Sequence, residues 1–270
     1  MAFVGGKDGT LGCIARQNGR AYVGTAPIPV RMGSVEWSLP PEIPWPLFLR
    51  MLRHPAPPRG WLEAAAELED IRRRPLLLRW IAQHRKAPEA LRARLLLRLP
   101  WRALVAVADD PSAHPKARGM AAERLQVLWT GMGLGERRSF AARAPRAMWG
   151  LVWKIRDTGV IESFLQHPRL GLETLVGFIQ SPILPTHLDA LASSKWREIQ
   201  PVAHQVLVAM DRSFAMPECP LVLGQAAPWI KVLDEGERIL AASRLTHPAL
   251  RRMTRSPRNL PLEGHGQVED

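Results

Sequence analysis

A chain of 270 residues, 46% of them hydrophobic, is long enough to bury a sizeable core and too apolar to be disordered over its bulk. Two cysteines, Cys13 and Cys219, build neither a disulfide framework nor a cysteine-rich metal site, and no apolar run approaches the roughly 20 residues of a membrane span. The net charge of +12 admits an acidic partner, but only six of the 37 basic residues are lysine. A bias toward Arg, Ala, Leu and Pro also follows from a GC-rich genome, and a generally basic surface is the commoner explanation.

Residues 1–44 are rich in Gly and Pro and lack helical periodicity. Leu11–Arg16 and Ala21–Gly24 flank Gln17-Asn18-Gly19-Arg20, and Asn-Gly between short apolar runs predicts a hairpin, because both residues tolerate positive φ. One isolated hairpin is marginal in water, so this segment is expected to be a flexible or loosely docked extension. The coherent pattern begins soon after Met32, which marks that residue as an alternative start. Met1–Asp8 has no basic stretch followed by an apolar one, so no signal peptide is expected. The sparse cysteines suit a reducing, cytoplasmic setting.

From residue 45 to 258 the chain reads as one helical domain, followed by a polar tail over 259–270. Proline divides the helices, because it fits a first helical turn and breaks a helix interior. The spacing predicts helices over Pro46–Arg53, Trp61–Arg73, Pro75–His84, Pro88–Leu97, Trp101–Ala108, Pro115–Trp129, Gly135–Ala144 and Arg146–Ile155. It continues with Val160–Gln166, Leu172–Gln180, Thr186–Ser193, Trp196–Asp211, Ala226–Leu233, Glu235–Leu245 and Pro248–Arg255. Apolar residues recur at three- and four-residue steps, as in Trp61, Ala65, Leu68 and Ile71 or Val202, Val206 and Met210. Segments this short need packing to be stable. The expected fold class is all-α.

A small pattern recurs where one helix ends and the next begins. Leu52-Arg53-His54-Pro55, Ile81-Ala82-Gln83-His84, Leu165-Gln166-His167-Pro168 and Leu245-Thr246-His247-Pro248 share an aliphatic residue, then His, with Pro nearby. Ala108-Asp109-Asp110-Pro111 and Ile179-Gln180-Ser181-Pro182 carry another polar residue in place of His. Histidine near a helix C-terminus is favoured by the macrodipole and can bond the last carbonyls. That structural role is the commoner one for His54, His84, His167 and His247.

This pattern, with Ala108–Arg118 as its best local example, resembles the degenerate HEAT-like and leucine-rich-repeat-variant α-solenoids of bacteria. The resemblance spans about 46–255. It implies an array of short antiparallel helices with a concave surface that binds a macromolecule. The basic helical-repeat character also resembles the HEAT-like DNA alkylpurine glycosylases, and no residue here matches their active site.

No catalytic, cofactor-binding or metal-binding motif is present. His-Glu-x-x-His and Cys-x-x-Cys are missing, and His114, His187, His204 and His265 have no partner at ligand spacing. Gly131–Glu136 lacks the preceding strand and the Gly-Lys-Ser/Thr ending of a phosphate loop, and is better read as a linker into a helix with Glu136 in its first turn. The carboxylate pairs Asp109-Asp110 and Asp234-Glu235 fall at expected helix starts, where capping is their commoner task.

The charge is uneven. Residues 54–145 carry 17 basic and 9 acidic side chains, whereas 146–270 carry 14 and 13. An anionic partner would therefore touch the first half, with Arg72, Arg73, Arg92, Arg94, Arg98 and Arg102 as candidate contacts. A second basic group, Arg244, Arg251, Arg252, Arg255 and Arg258, lies near the end of the helices. Trp149 and Trp153 share a helical face and are candidate hot spots for a partner if exposed, although buried Trp is the default.

The expectation is a non-enzymatic scaffold of helical-repeat type that binds a protein partner, without a small-molecule ligand. The alternative is a nucleic-acid-binding array using the basic surface of 54–145. An enzyme of unrecognised type ranks last.

Overall fold

The computed structural model describes residues 4–5, 11–12, 15–17, 20–22, 28–32, 35–39, 45–57 and 60–256. The chain divides into two compact units, Met1–Gly131 and Met132–Asp270. No helix among the described residues is long and apolar enough to cross a membrane. Cys13 and the 259–270 tail lie outside the described residues, and Cys219 is a free thiol.

The first unit opens with three antiparallel strand pairs: β1 (Val4–Gly5) with β2 (Leu11–Gly12), β3 (Ala15–Gln17) with β4 (Arg20–Tyr22), and β5 (Ile28–Met32) with β6 (Val35–Leu39). The middle pair sets Gln17 opposite Arg20, on either side of the Asn-Gly predicted to turn, which itself lies outside the described residues. The other two pairs were not anticipated. In β5–β6, Met32 stands opposite Val35 across Gly33-Ser34, and Val35-Glu36-Trp37-Ser38-Leu39 alternates apolar and polar residues as a strand does.

Seven helices follow in this unit: α1 (Trp45–Leu52), α2 (Trp61–Glu67), α3 (Glu69–Arg72), α4 (Pro75–Gln83), α5 (Glu89–Arg98), α6 (Trp101–Asp109) and α7 (Pro115–Gly131). The strand β6 runs beside α2. Gly60, the residue before α2, has φ 82°, a conformation that a residue with a Cβ rarely adopts. The single helix expected over Trp61–Arg73 is two. Leu68 takes extended backbone (φ −60°, ψ 130°), and Glu69 and Asp70 then fill the first turn of α3, where negative charge meets the helix dipole.

The second unit holds α8 (Leu134–Ala141), α9 (Trp149–Trp153), α10 (Thr158–Leu165), α11 (Leu172–Ile179), α12 (Pro185–Ala192), α13 (Gln200–Phe214), α14 (Ala227–Val232), α15 (Glu235–Arg244) and α16 (Pro248–Arg255). Short 3₁₀ turns at Arg146–Met148, Lys195–Glu198 and Leu223–Ala226 precede α9, α13 and α14. They take up the starts of segments that periodicity alone reads as α-helix. Gly133 precedes α8 and Glu136 stands in its first turn, as the linker reading required.

Within each unit the main packing is serial. α4 packs on α2, α3, α5 and α6, and α7 packs on α5 and α6. In the second unit α10 meets α8, α9 and α12, α13 meets α11, α14 and α15, and α16 meets α14 and α15. Trp61, Ile71, Ile81, Leu95, Leu104 and Leu125 fill the first core; Phe140, Met148, Ile161, Phe164 and Trp229 fill the second. Each such side chain contributes about 1.5–3 kcal/mol on burial, which is what holds two- to four-turn helices in place.

Side-chain caps start several helices. Asp157 accepts from Val160 N (2.9 Å), and Asp234 accepts from Glu237 N (2.7 Å) while Glu237 Oε2 accepts from Asp234 N (3.1 Å). The Asp234-Glu235 pair thus caps α15 as expected. Asp109-Asp110 does not start a helix: Asp109 ends α6, and Asp110 Oδ1 accepts from Ser112 N (2.8 Å) in the turn that follows.

Asp211, buried on α13, fastens the α15–α16 turn by accepting from Thr246 N, Thr246 Oγ1 and His247 N at 3.0, 2.7 and 2.6 Å. Burial alone would raise its carboxyl. The three donors outweigh that and hold it below the ordinary carboxylate value. Asp211→Ala is expected to cost about 2–3 kcal/mol, because it leaves those donors without an acceptor. A fall of several degrees in Tm, not repaired by Asp211→Asn, is the expected measurement.

Candidate functional site

Most of the polar residues at the recurrent turns share one local geometry, while Ser181 instead donates through Oγ to Phe178 O (2.8 Å). His84 Nδ1 accepts from Lys86 N (3.1 Å), His167 Nδ1 from Arg169 N (3.1 Å), Asp110 Oδ1 from Ser112 N, and Ser194 Oγ from Trp196 N (3.2 Å). In each case the backbone also closes a turn onto the same residue's carbonyl, from Ala87, Leu170, Ala113 and Arg197 respectively. His114 and His247 use Nδ1 in the same way at the starts of α7 and α16, toward Lys116 N (3.2 Å) and Leu250 N (3.4 Å). This changes the reason for histidine here. Here the ring nitrogen accepts from the backbone as the carboxylate of an Asx turn does, a role other than bonding the last carbonyls of a helix.

An accepting Nδ1 leaves the ring proton on Nε2. His84 donates it to His54 O at 2.9 Å, joining two successive turns 30 residues apart. His187 Nε2 likewise donates to Trp153 O at 2.7 Å, while its Nδ1 accepts from Leu184 N. Burial depresses the His187 pKa below the ordinary histidine value, against the opposing pull of the Trp153 carbonyl.

In the first unit these turns border a solvent-open groove of about 860 Å³. Its lining comes from the end of α1 and its turn (Leu52, Arg53, Pro55), the end of α4 and its turn (Trp80 and Gln83 to Lys86), and the turn after α6 (Asp110, Ser112). Arg53 lies over the Trp80 ring, 4.8 Å from guanidinium carbon to ring centroid. Arg85 and Lys86 are exposed beside it and pair with no carboxylate among the described residues. The one carboxylate in the lining, Asp110, is engaged by Gln83 Nε2 (3.0 Å), Ser112 N and Ser112 Oγ (2.6 Å). The groove is therefore a concave surface with three cations, one half-buried indole and a far wall whose carboxylate is already hydrogen-bonded.

None of the six arginines singled out in the sequence lines it. Arg73 pairs with Glu69 one turn away, and Arg94 with Glu67 (2.6 Å). Exposed pairs of this kind hold little energy but cancel local charge. Arg72 and Arg98 are exposed, and Arg102 lies over Trp101 at 5.3 Å. Arg92 is not a surface contact at all. It is 2% exposed and donates to Ala82 O (3.1 Å), His84 O (3.2 Å) and Ala87 O (3.0 Å), so it ties down the α4–α5 turn from inside. Its guanidinium is pulled below the usual arginine value by burial, and Glu89 opposes that.

Trp149 and Trp153 are each 5% exposed and belong to the core of the second unit, which leaves them little surface for a partner. Trp149 Nε1 donates to Ala144 O (2.8 Å), and its ring meets Phe164 and His167 edge-on. Trp153 stacks on His187 with centroids 4.3 Å apart and planes 3° from parallel. Near the end of the helices, Arg251 is likewise inward-bound, donating through Nε and Nη2 to Leu245 O.

Arg53, Trp80, Arg85 and Lys86 were missed because they stand inside or beside the turn pattern. Those turns read as punctuation between helices, whereas the denser runs of arginine lie on the helices themselves. Among the described residues no three His, Cys, Asp or Glu side chains converge as a metal site. No family model, no characterised protein and no solved structure matches the chain.

Proposed function

We propose that this chain is a non-enzymatic binding module of helical-repeat type that engages another protein. The observation that carries the reading is the groove itself: consecutive turns of α1, α4 and α6 present their side chains to one concave surface. That is how stacked helix pairs make a binding face. The serial packing within each unit supports the same reading, as do hydrogen bonds that recur between residues about one helix pair apart: 30 for His84–His54, 31 for Trp196–Leu165, 32 for Arg212–Gln180 and 34 for His187–Trp153. The titratable groups with displaced pKa values, Asp211, His187 and Arg92 among them, are engaged in fastening turns, which is a structural task.

A second reading, a nucleic-acid-binding array, draws on the three groove cations beside Trp80. Two measurements separate them. The immobilised full chain should retain discrete proteins from a nuclease-treated lysate and lose them on Arg85→Gln plus Lys86→Gln. Fluorescence anisotropy with single-stranded and duplex oligonucleotides should show binding only at low salt, the mark of generic electrostatics. Oligonucleotide binding that survives about 0.15 M salt and falls with the groove variants would put the nucleic-acid reading first.

A further inference from the structure

We infer that the groove receives an acidic, extended segment of a partner protein, with Arg53 as the fork that grips a carboxylate. The inference rests on the protein-binding reading and names the chemistry of its partner. Arg53 lies over the Trp80 ring, 4.8 Å from guanidinium carbon to ring centroid, and its guanidinium N–H groups can meet a carboxylate in two parallel bonds. An arginine held in this way loses less side-chain freedom on binding than a free one. Arg85 and Lys86, on the next turn, supply two further exposed cations without counter-charges.

The charges around the groove favour a short acidic peptide over a nucleic-acid strand. A strand needs a continuous basic track for its phosphates. On the neighbouring helices such a track is interrupted: Arg73 pairs with Glu69, Arg94 with Glu67 and Lys116 with Glu89, and Arg92 is buried. At the groove, Arg53, Arg85 and Lys86 form a short cluster of exposed cations. Its far wall carries the Asp110 carboxylate, engaged by Gln83 and Ser112, which confines an anionic segment to the cationic side of the groove. The same wall offers Gln83 and Ser112, neutral groups beside which a peptide backbone can lie.

The test uses the full chain and a fluorescein-labelled peptide of alternating serine and glutamate with one central phenylalanine. The comparison ligands are the same peptide with glutamine for glutamate, and a single-stranded oligothymidylate, all at about 0.15 M salt. The glutamate peptide should bind about tenfold more tightly than the glutamine peptide. Arg53→Gln, and Arg85→Gln with Lys86→Gln, should each weaken it about fivefold, and Arg53→Lys about threefold because charge without the fork is not enough. Arg98→Gln, an exposed arginine away from the groove, should change it less than about twofold.

Equal losses for Arg98→Gln and Arg53→Gln would overturn the inference, as would equal binding of both peptides. Groove-dependent binding of the oligonucleotide tighter than that of the glutamate peptide would overturn it in favour of nucleic acid. If lysate proteins are retained in a groove-dependent way and the glutamate peptide is not bound, the acidic-segment inference falls and the binding-module reading stands. If neither is retained, both fall.

Discussion

Arg92→Met is expected to destabilise the chain by about 3 kcal/mol, the largest loss from any single arginine. The aliphatic part of the side chain is nearly matched in volume, so the cost isolates the guanidinium. Removing it strips donors from the Ala82, His84 and Ala87 carbonyls, two of which are bonded in buried surroundings. Arg92→Lys should recover little, since one ammonium cannot span three acceptors in the guanidinium's fixed plane. Thermal unfolding of the full chain followed by circular dichroism should show the fall. Hydrogen exchange should speed up first around residues 82–88. Arg98→Met, at an exposed position on the same helix, is expected to stay within about 0.5 kcal/mol of the parent. Similar losses for the two variants would mean that Arg92 is not what holds the turn.

The second large effect is acid sensitivity through His187. Its ring is buried, stacked on Trp153, and bonded at both nitrogens in the neutral form. Protonation at Nδ1 would set a donor against the Leu184 N–H. With the folded pKa below the unfolded one, the unfolded chain binds the extra proton more readily. The stabilisation is therefore fully present above the unfolded value of about 6.5 and is lost as pH falls from there through the folded value. Melting at successive pH values should show a drop in Tm from neutrality toward about pH 5. His187→Phe, which keeps a ring on Trp153, should flatten that slope. His187→Ala should cost about 3 kcal/mol at neutral pH through the cavity and the lost bonds. An unchanged slope in His187→Phe would assign the acid sensitivity elsewhere.

Helix positions were legible because proline and three- and four-residue spacing are local signals. Pro75, Pro115 and Pro248 each open a helix at the expected place. The Gln17–Arg20 pairing was equally local. What was hidden depends on neighbours distant in sequence. Nothing in Arg92 distinguishes it from Arg94, two positions away, until the helix is packed and one faces the α4–α5 turn while the other meets Glu67. Trp149 and Trp153 showed the same ambiguity, and burial resolved it. The groove was hidden for a related reason. Arg53, Trp80 and Lys86 are isolated in the sequence, and only the stacking of successive turns brings them to one surface.

The histidine-to-carbonyl bonds between successive turns bear on how fast the chain folds. The bond from His84 to His54 O closes a loop of 30 residues, and that from His187 to Trp153 O one of 34. Loop closure grows costlier only slowly with length, and loops of this size close long before the ends of a 270-residue chain meet. Helices that contact mainly the next and the next but one keep the average separation of partners small, the condition under which domains fold quickly. Within each unit, contacts this local favour fast folding.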